Sequence, residues 1–336
     1  MGFLVSIPEP DSLRAPMPTA VIELERVTKR YAGHVAVRAL DLSVPPGSIY
    51  GLLGPNGAGK TSSIRVIMNI AIPDEGRVRL FGVEGGGRSV SHRVGYLPEE
   101  RGLYRKMRIM DLLVFLAQTK GVARATARAR AVEWLDRLGL GQWRQRKVDD
   151  LSKGMQQKVQ FISTVLHGPE LVILDEPFSG LDPVNTEVVK DTVMELVRGG
   201  ATVLFSTHIM EQAEKLCDAV CIIARGEKVV DGPLSEIKRA HGGRNLVLAV
   251  EDGSAAVDRL LADQRLVARA TRSGQFAEIE LTPMADPQEV LRRMVESGVR
   301  ITRFEITEPS LHKIFLDRVG PEAAVAPATG GSGGNA

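Results

Sequence analysis

Apolar and polar positions fall into blocks of two different periods along the chain. Val21, Ile22 and Leu24 open a strand-like stretch that leads to Tyr31, and a second apolar segment spans Leu40 to Val44 before Pro45-Pro46-Gly47 interrupts it. Ile49 to Leu53 is a short apolar run, the pattern of a buried strand, and it ends at Gly54. After Lys60 the period changes, with Ser63, Ile64, Val66, Ile67 and Ile70 at helical spacing. Between about 108 and 167, Met110, Leu113, Phe115 and Leu116, then Val132, Leu135 and Leu138, predict two or three helices. Strand patterns return at Leu171–Leu174, Ala201–Phe205 and Val220–Ala224, with helical Val189, Val193 and Leu196 between the first two. Strands alternating with helices predict an α/β core, a mostly parallel sheet flanked by helices, with a helical insert.

A second unit begins after His241-Gly242-Gly243. Leu246–Val250 reads as strand, Ala255–Ala262 as helix, and Val267–Thr271 with Phe276–Leu281 as a hairpin turning at Ser273-Gly274. Pro287–Glu296 reads as helix and Ile301–Ile306 as strand, which completes the β-α-β-β-α-β order of a small ferredoxin-like α+β domain. A last helix covers about Ser310–Val319. The expected division is a disordered lead-in at 1–19 (four prolines, no periodicity), a main α/β domain at 20–242 with its helical part at about 100–167, an accessory domain at 243–319, and a disordered Ala/Pro/Gly/Ser tail at 320–336.

Composition adds exclusions. Lys plus Arg number 43 against 41 for Asp plus Glu, so the net charge of +2 gives no electrostatic case for nucleic acid as a partner. Arg124, Arg128 and Arg130 alternate with alanine on what reads as a solvated helix face. Cys217 and Cys221 are too few for a disulfide framework and read as buried thiols in a reducing compartment. No apolar run approaches the roughly 18 residues a membrane span needs, so any membrane role goes through a partner.

The candidate chemistry starts where the buried strand ends. Gly54-Pro55-Asn56-Gly57-Ala58-Gly59-Lys60-Thr61 fits G-x4-G-K-[ST] at every position, with Ser62 next. Glycines let backbone N–H groups close around phosphate, and the helix that follows turns its positive end to the same anion. Lys60 is placed to reach the β- and γ-phosphates, and Thr61 to hold Mg²⁺. The apolar run Leu171–Leu174 ends in Asp175-Glu176, at the rim where α/β sheets bind ligands. Asp175 is the candidate second Mg²⁺ ligand and Glu176 the group that polarises the attacking water.

These residues indicate an NTPase; the next ones narrow it. Leu151-Ser152-Lys153-Gly154-Met155-Gln156-Gln157 matches LSxGxxQ, and Ser152 caps a helix that presents a second anion site. With this motif upstream of the acidic strand, the chain over about 20–240 resembles the ABC ATPases, and the fold implied is a P-loop NTPase core with a helical ABC subdomain. The resemblance implies that two subunits pair head-to-tail, as a homodimer or with a second ABC ATPase, each signature (Ser152, Lys153, Gly154, Met155, Gln156) closing over ATP on the partner's loop. It further implies that Tyr31 stacks on adenine, that Asp182 of Ser179-Gly180-Leu181-Asp182 lies in the D-loop, and that His208 is the switch histidine. Where the family usually carries a glutamine, Gly95-Tyr96-Leu97-Pro98-Glu99-Glu100 offers Glu99, an oxygen donor that also brings negative charge near phosphate.

Glu305-Ile306-Thr307-Glu308-Pro309-Ser310-Leu311 and Ile314-Phe315-Leu316 resemble the C-terminal end of extended ABC-2-type exporter ATPases, including the sodium-extrusion (NatA-like) and drug-export branches. The expectation is an ATP- and Mg²⁺-dependent ATPase on the cytoplasmic face of the plasma membrane, bound to a separate permease. The competing reading, a soluble ABC ATPase acting on ribosomes or nucleic acid, usually brings two nucleotide units or a long coiled-coil insert. This chain has one P-loop and a short interval from Lys60 to Asp175.

Overall fold

The structure is a computed structural model describing residues 20–85, 89–100, 102–241, 245–251 and 254–320. The expected lead-in, Gly242, Gly243 and the tail beyond Gly320 lie outside the described residues. By backbone contacts the chain forms two compact units, one of residues 1–48, 61–174 and 178–204, the other of 49–60, 175–177 and 205–336.

In the first unit, β1 (Ile22–Tyr31) and β2 (His34–Val44) form an antiparallel hairpin. Its turn, Ala32-Gly33, has φ of 42° and 83°, the left-handed pair that matches strand twist in a tight hairpin. The buried strand β3 (Ile49–Leu53), counted with the second unit, leads along the chain to α1 (Lys60–Ile67). Ile70 falls beyond α1 and is 61% exposed, because the chain leaves the helix at Asn69, φ 53°, ahead of Pro73. Next come β4 (Glu75–Leu80), β5 (Val83–Glu84) and β6 (Val94–Leu97). The order β2-β1-β4-β5 is a separate antiparallel sheet that helix–strand alternation does not foretell.

The helical insert holds three helices, α2 (Ile109–Thr119), α3 (Arg124–Arg137) and α4 (Lys153–Val165). On α3 the buried positions are Ala127, Ala131 and Leu135, while Arg124, Arg128 and Arg130 face solvent as expected. The chain continues through β7 (Leu171–Asp175), α5 (Pro183–Arg198), β8 (Thr202–Thr207), α6 (Met210–Leu216), β9 (Ala219–Ala224), β10 (Glu227–Pro233) and α7 (Leu234–His241). A six-stranded sheet has the order β10-β9-β3-β8-β7-β6; β3 with β9 and β6 with β7 are parallel, and β10 is antiparallel to β9. Strands β3, β7, β8 and β9 are buried throughout, as the continuous apolar runs require. Cys217 and Cys221 are buried free thiols, and burial pushes both up from the usual thiol range.

The C-terminal part of the second unit comprises β11 (Asn245–Val250), α8 (Ser254–Ala262), β12 (Val267–Ser273), β13 (Phe276–Leu281), α9 (Pro287–Glu296), β14 (Ile301–Thr307) and α10 (Leu311–Val319). Its sheet runs β12-β13-β11-β14 with every neighbouring pair antiparallel, the strand order of the ferredoxin-like arrangement. Leu246, Leu248, Val257, Leu260, Ile279, Val290 and Met294 form the core between this sheet and α8 and α9. Helix α10 starts at the Ser310 cap, and the backbone N–H of Leu311 also donates to the Glu214 carboxylate on α6.

Candidate functional site

Strand β3 delivers the glycine loop. Gly54 has φ 151°, and a Cβ there would lie 2.1 Å from the Ile223 carbonyl oxygen, so only glycine fits. The loop closes on itself through Ala58 N–H to the Pro55 carbonyl (3.2 Å) and is anchored by Gly226 N–H to the Ala58 carbonyl (2.9 Å). Asn56 and Gly57 stay exposed at its tip. Lys60, 6% exposed, folds back over the loop, and its Nζ donates to the carbonyls of Gly54 (2.8 Å) and Pro55 (3.2 Å).

Strand β7 ends in Asp175, fully buried, whose Oδ1 accepts from the Ser206 hydroxyl of β8. Glu176 then adopts φ 50°, a left-handed conformation costly for a side-chain-bearing residue. Its N–H is held by the Ser206 carbonyl and hydroxyl, both at 3.2 Å. This turn lets consecutive acids do different things: Asp175 stays under the sheet rim, while Glu176 Oε1 lies 2.9 Å from His208 Nδ1 and 3.6 Å from Lys60 Nζ. An ionised carboxylate only accepts, so His208 Nδ1 donates. Lys60, Glu176 and His208 thus meet at one oxygen. Chemically, this is a charge-balanced cluster that can exchange its internal ion pair for an anionic ligand and hold a base beside it. Ser206, which organises both acids, carries no sequence signal beyond its place in the strand before His208.

Thr61 and Ser62 are half-buried in the first turn of α1. In the first unit, Ser152 caps α4, its hydroxyl accepting from Met155 N–H at 3.3 Å. Ser152 and Lys153 are exposed, and the nearest atom a Cβ on Gly154 would meet is Leu181 Cδ2 at 4.0 Å, so this helix end is open to approach. Gln156 turns the other way, its amide donating to the carbonyls of Val148 (3.3 Å) and Leu151 (3.0 Å). Asp182 caps α5 through Asn185 N–H at 2.9 Å, a bond that holds its carboxyl below the usual range. Tyr31 is exposed with Lys29 Nζ 5.3 Å from its ring centroid, and Glu99 is exposed beyond β6.

A family profile described as "ABC transporter" matches residues 37–179, and one described as "ATP-binding protein DrrA1-3-like, C-terminal domain" matches residues 232–319. The ABC transporter ATP-binding protein YhaQ of Bacillus subtilis is 42% identical over 89% of this chain and 99% of its own length. The Nod factor export ATP-binding protein I of Paraburkholderia xenovorans is 33% identical over 91% of this chain and 99% of its own. Among solved structures, an ATP-binding subunit of an ABC transporter superposes with a TM-score of 0.62 at 30% identity, covering 66% of this chain and 93% of that one. With the glycine loop and an ion-paired lysine in place, these likenesses settle the family: the chain is a nucleotide-binding, ATP-hydrolysing member of the ABC transporter ATP-binding proteins.

Proposed function

We propose that this chain hydrolyses ATP to drive an exporter, on the cytoplasmic face of the plasma membrane, through a permease made as a separate polypeptide. The convergence of Lys60, Glu176 and His208 beside a loop that admits no side chain at Gly54 carries the reading. Among the described residues no helix is long and apolar enough to cross a membrane, which agrees with a separate permease. Export is supported by the role of the Nod factor export relative and by the DrrA-like C-terminal match.

In this reading the loop from Gly54 to Gly59 wraps the triphosphate with its backbone N–H groups, Pro55 excepted. Lys60 moves from its carbonyls and Glu176 onto the β- and γ-phosphates. Glu176, released from that pair, orients water for in-line attack on the γ-phosphorus and takes its proton as the bond to the β-phosphate oxygen breaks. His208 holds Glu176 and reaches the γ-phosphate. Magnesium suits an all-oxygen donor set, and Asp175 would hold it with the Thr61 hydroxyl, Glu99 being a further oxygen donor. Bound there, the ion neutralises phosphate charge.

The open helix end at Ser152, Lys153 and Gly154 supports a role on ATP carried by a second ABC subunit, identical or not, with Asp182 in the contact between them. Tyr31, exposed on β1, is the adenine platform. The test is a pair of variants. Lys60→Ala abolishes nucleotide binding, and Glu176→Gln binds ATP, loses turnover and accumulates as an ATP-bound dimer on size-exclusion chromatography. Turnover near wild type in Glu176→Gln defeats the assignment.

A further inference from the structure

One polar line in the first unit is used by none of the roles above. Helix α4 carries Gln160 and Thr164 one turn apart on one face, and His167 follows in the turn just beyond its last residue. The three side chains meet carbonyls on alternate residues of β6 and the segment after it. His167 Nε2 lies 3.2 Å from the Val94 carbonyl, and Thr164 Oγ1 lies 3.4 Å from that of Tyr96. Gln160 Nε2 donates to the carbonyls of Pro98 (3.3 Å) and Glu100 (3.2 Å). The backbones are also in close approach, since a Cβ on Gly95 would sit 2.3 Å from the Thr164 carbonyl oxygen.

Gln160 is the telling residue. It is 4% exposed, and its amide bridges the carbonyls of Pro98 and Glu100, the residues that flank Glu99. Its own Oε1 is buried with no hydrogen-bond partner among the described residues. Two bonds made and one acceptor left buried work against each other in stability, so net stabilisation does not account for a glutamine there. Its amide does fix a position: it clamps an exposed carboxylate-bearing turn to the helix that opens at Ser152, about 12 Å away along the axis.

We propose that Gln160 is a positioning residue for ATP hydrolysis, holding Glu99 in register with the Ser152 end of α4 so that displacement of one is carried to the other. The proposal rests on the reading of Glu99 and Ser152 given above. It is tested in the full-length chain with Gln160→Met, which keeps length and apolar bulk but removes the donors, made alone and in a Glu99→Ala background. Expected for Gln160→Met alone is a kcat lowered about tenfold, with ATP dissociation constant and Tm close to wild type. In the Glu99→Ala background the same substitution changes kcat less than about twofold. Equal proportional losses in both backgrounds overturn the proposal, as does a Gln160→Met effect in a protein where Glu99→Ala alone is silent. Either result leaves the roles of Lys60 and Glu176 standing, because those are judged by nucleotide binding to Lys60→Ala and by turnover of Glu176→Gln. If Gln160→Met lowers Tm markedly, Gln160→Asn, which keeps the amide but shortens its reach, takes its place in the same cycle.

Discussion

Removing the charge of Glu176 tests how the site is held before nucleotide arrives. Lys60 is almost fully buried, and the carboxylate of Glu176 is 3.6 Å from its ammonium. At an effective dielectric constant of about 20 that separation corresponds to roughly 5 kcal/mol of attraction. Much of it is offset by the desolvation of two buried ions. Glu176→Gln removes the attraction and the carboxylate's desolvation together, leaves Lys60 its two loop carbonyls, and keeps an oxygen for His208 Nδ1. The expected net loss in the nucleotide-free protein is about 2 kcal/mol, read as a lower urea midpoint at unchanged slope. The triphosphate then supplies the missing negative charge, and Lys60 no longer has to leave a carboxylate to meet it. Nucleotide affinity of the variant should therefore rise, by about tenfold for each 1.4 kcal/mol of pairing no longer broken. Urea titrations with and without ATP, with a fluorescent-nucleotide titration, measure both quantities. A variant as stable as wild type without nucleotide, and no tighter with it, refutes the exchange of partners at Lys60.

Other expectations are independent of that exchange. Gly54→Ala drives a Cβ into the Ile223 carbonyl and should cost about 1–3 kcal/mol together with nucleotide binding, seen by denaturation and isothermal titration. His167 is pushed down to about 4 by burial first and by Lys120 second. Its folded value lies below its unfolded one, so its contribution is complete above pH 6.5 and is lost as pH falls toward 4, by about 1.4 kcal/mol per pH unit within that window. His167→Gln should flatten this acid limb in urea midpoints taken from pH 7 to 4. Glu214→Ala deprives the Leu311 N–H of its carboxylate partner, and hydrogen exchange should quicken along 311–319 while 245–250 stays protected.

Legibility in the sequence followed how local each signal is. Ile49–Leu53 and Leu171–Leu174 are apolar without a break because both faces are covered, and the glycine loop and LSxGxxQ are contiguous, so core and motifs could be read directly. The βαββαβ order of the C-terminal domain was equally plain, each element carrying its own period. Strand β4 was not, since Glu75, Gly76, Arg77 and Arg79 give it the look of a loop, and its pairing with β1 is what makes it a strand. Ser206 and Gln160 were invisible because their partners lie 31 residues away at Asp175, and 62 and 60 residues away at Pro98 and Glu100. The left-handed turn at Glu176 is fixed by Ser206, and no residue preference announces it.

The polar groups that meet β6 have a second effect, on sheet growth. Strand β6 is the last of its six-stranded sheet, and an uncovered last strand is a template on which foreign strands polymerise. Here the outward carbonyls of Val94 and Tyr96 are already occupied by His167, Thr164 and Lys120. Two of the acceptors a foreign strand would need are thereby already taken within the fold.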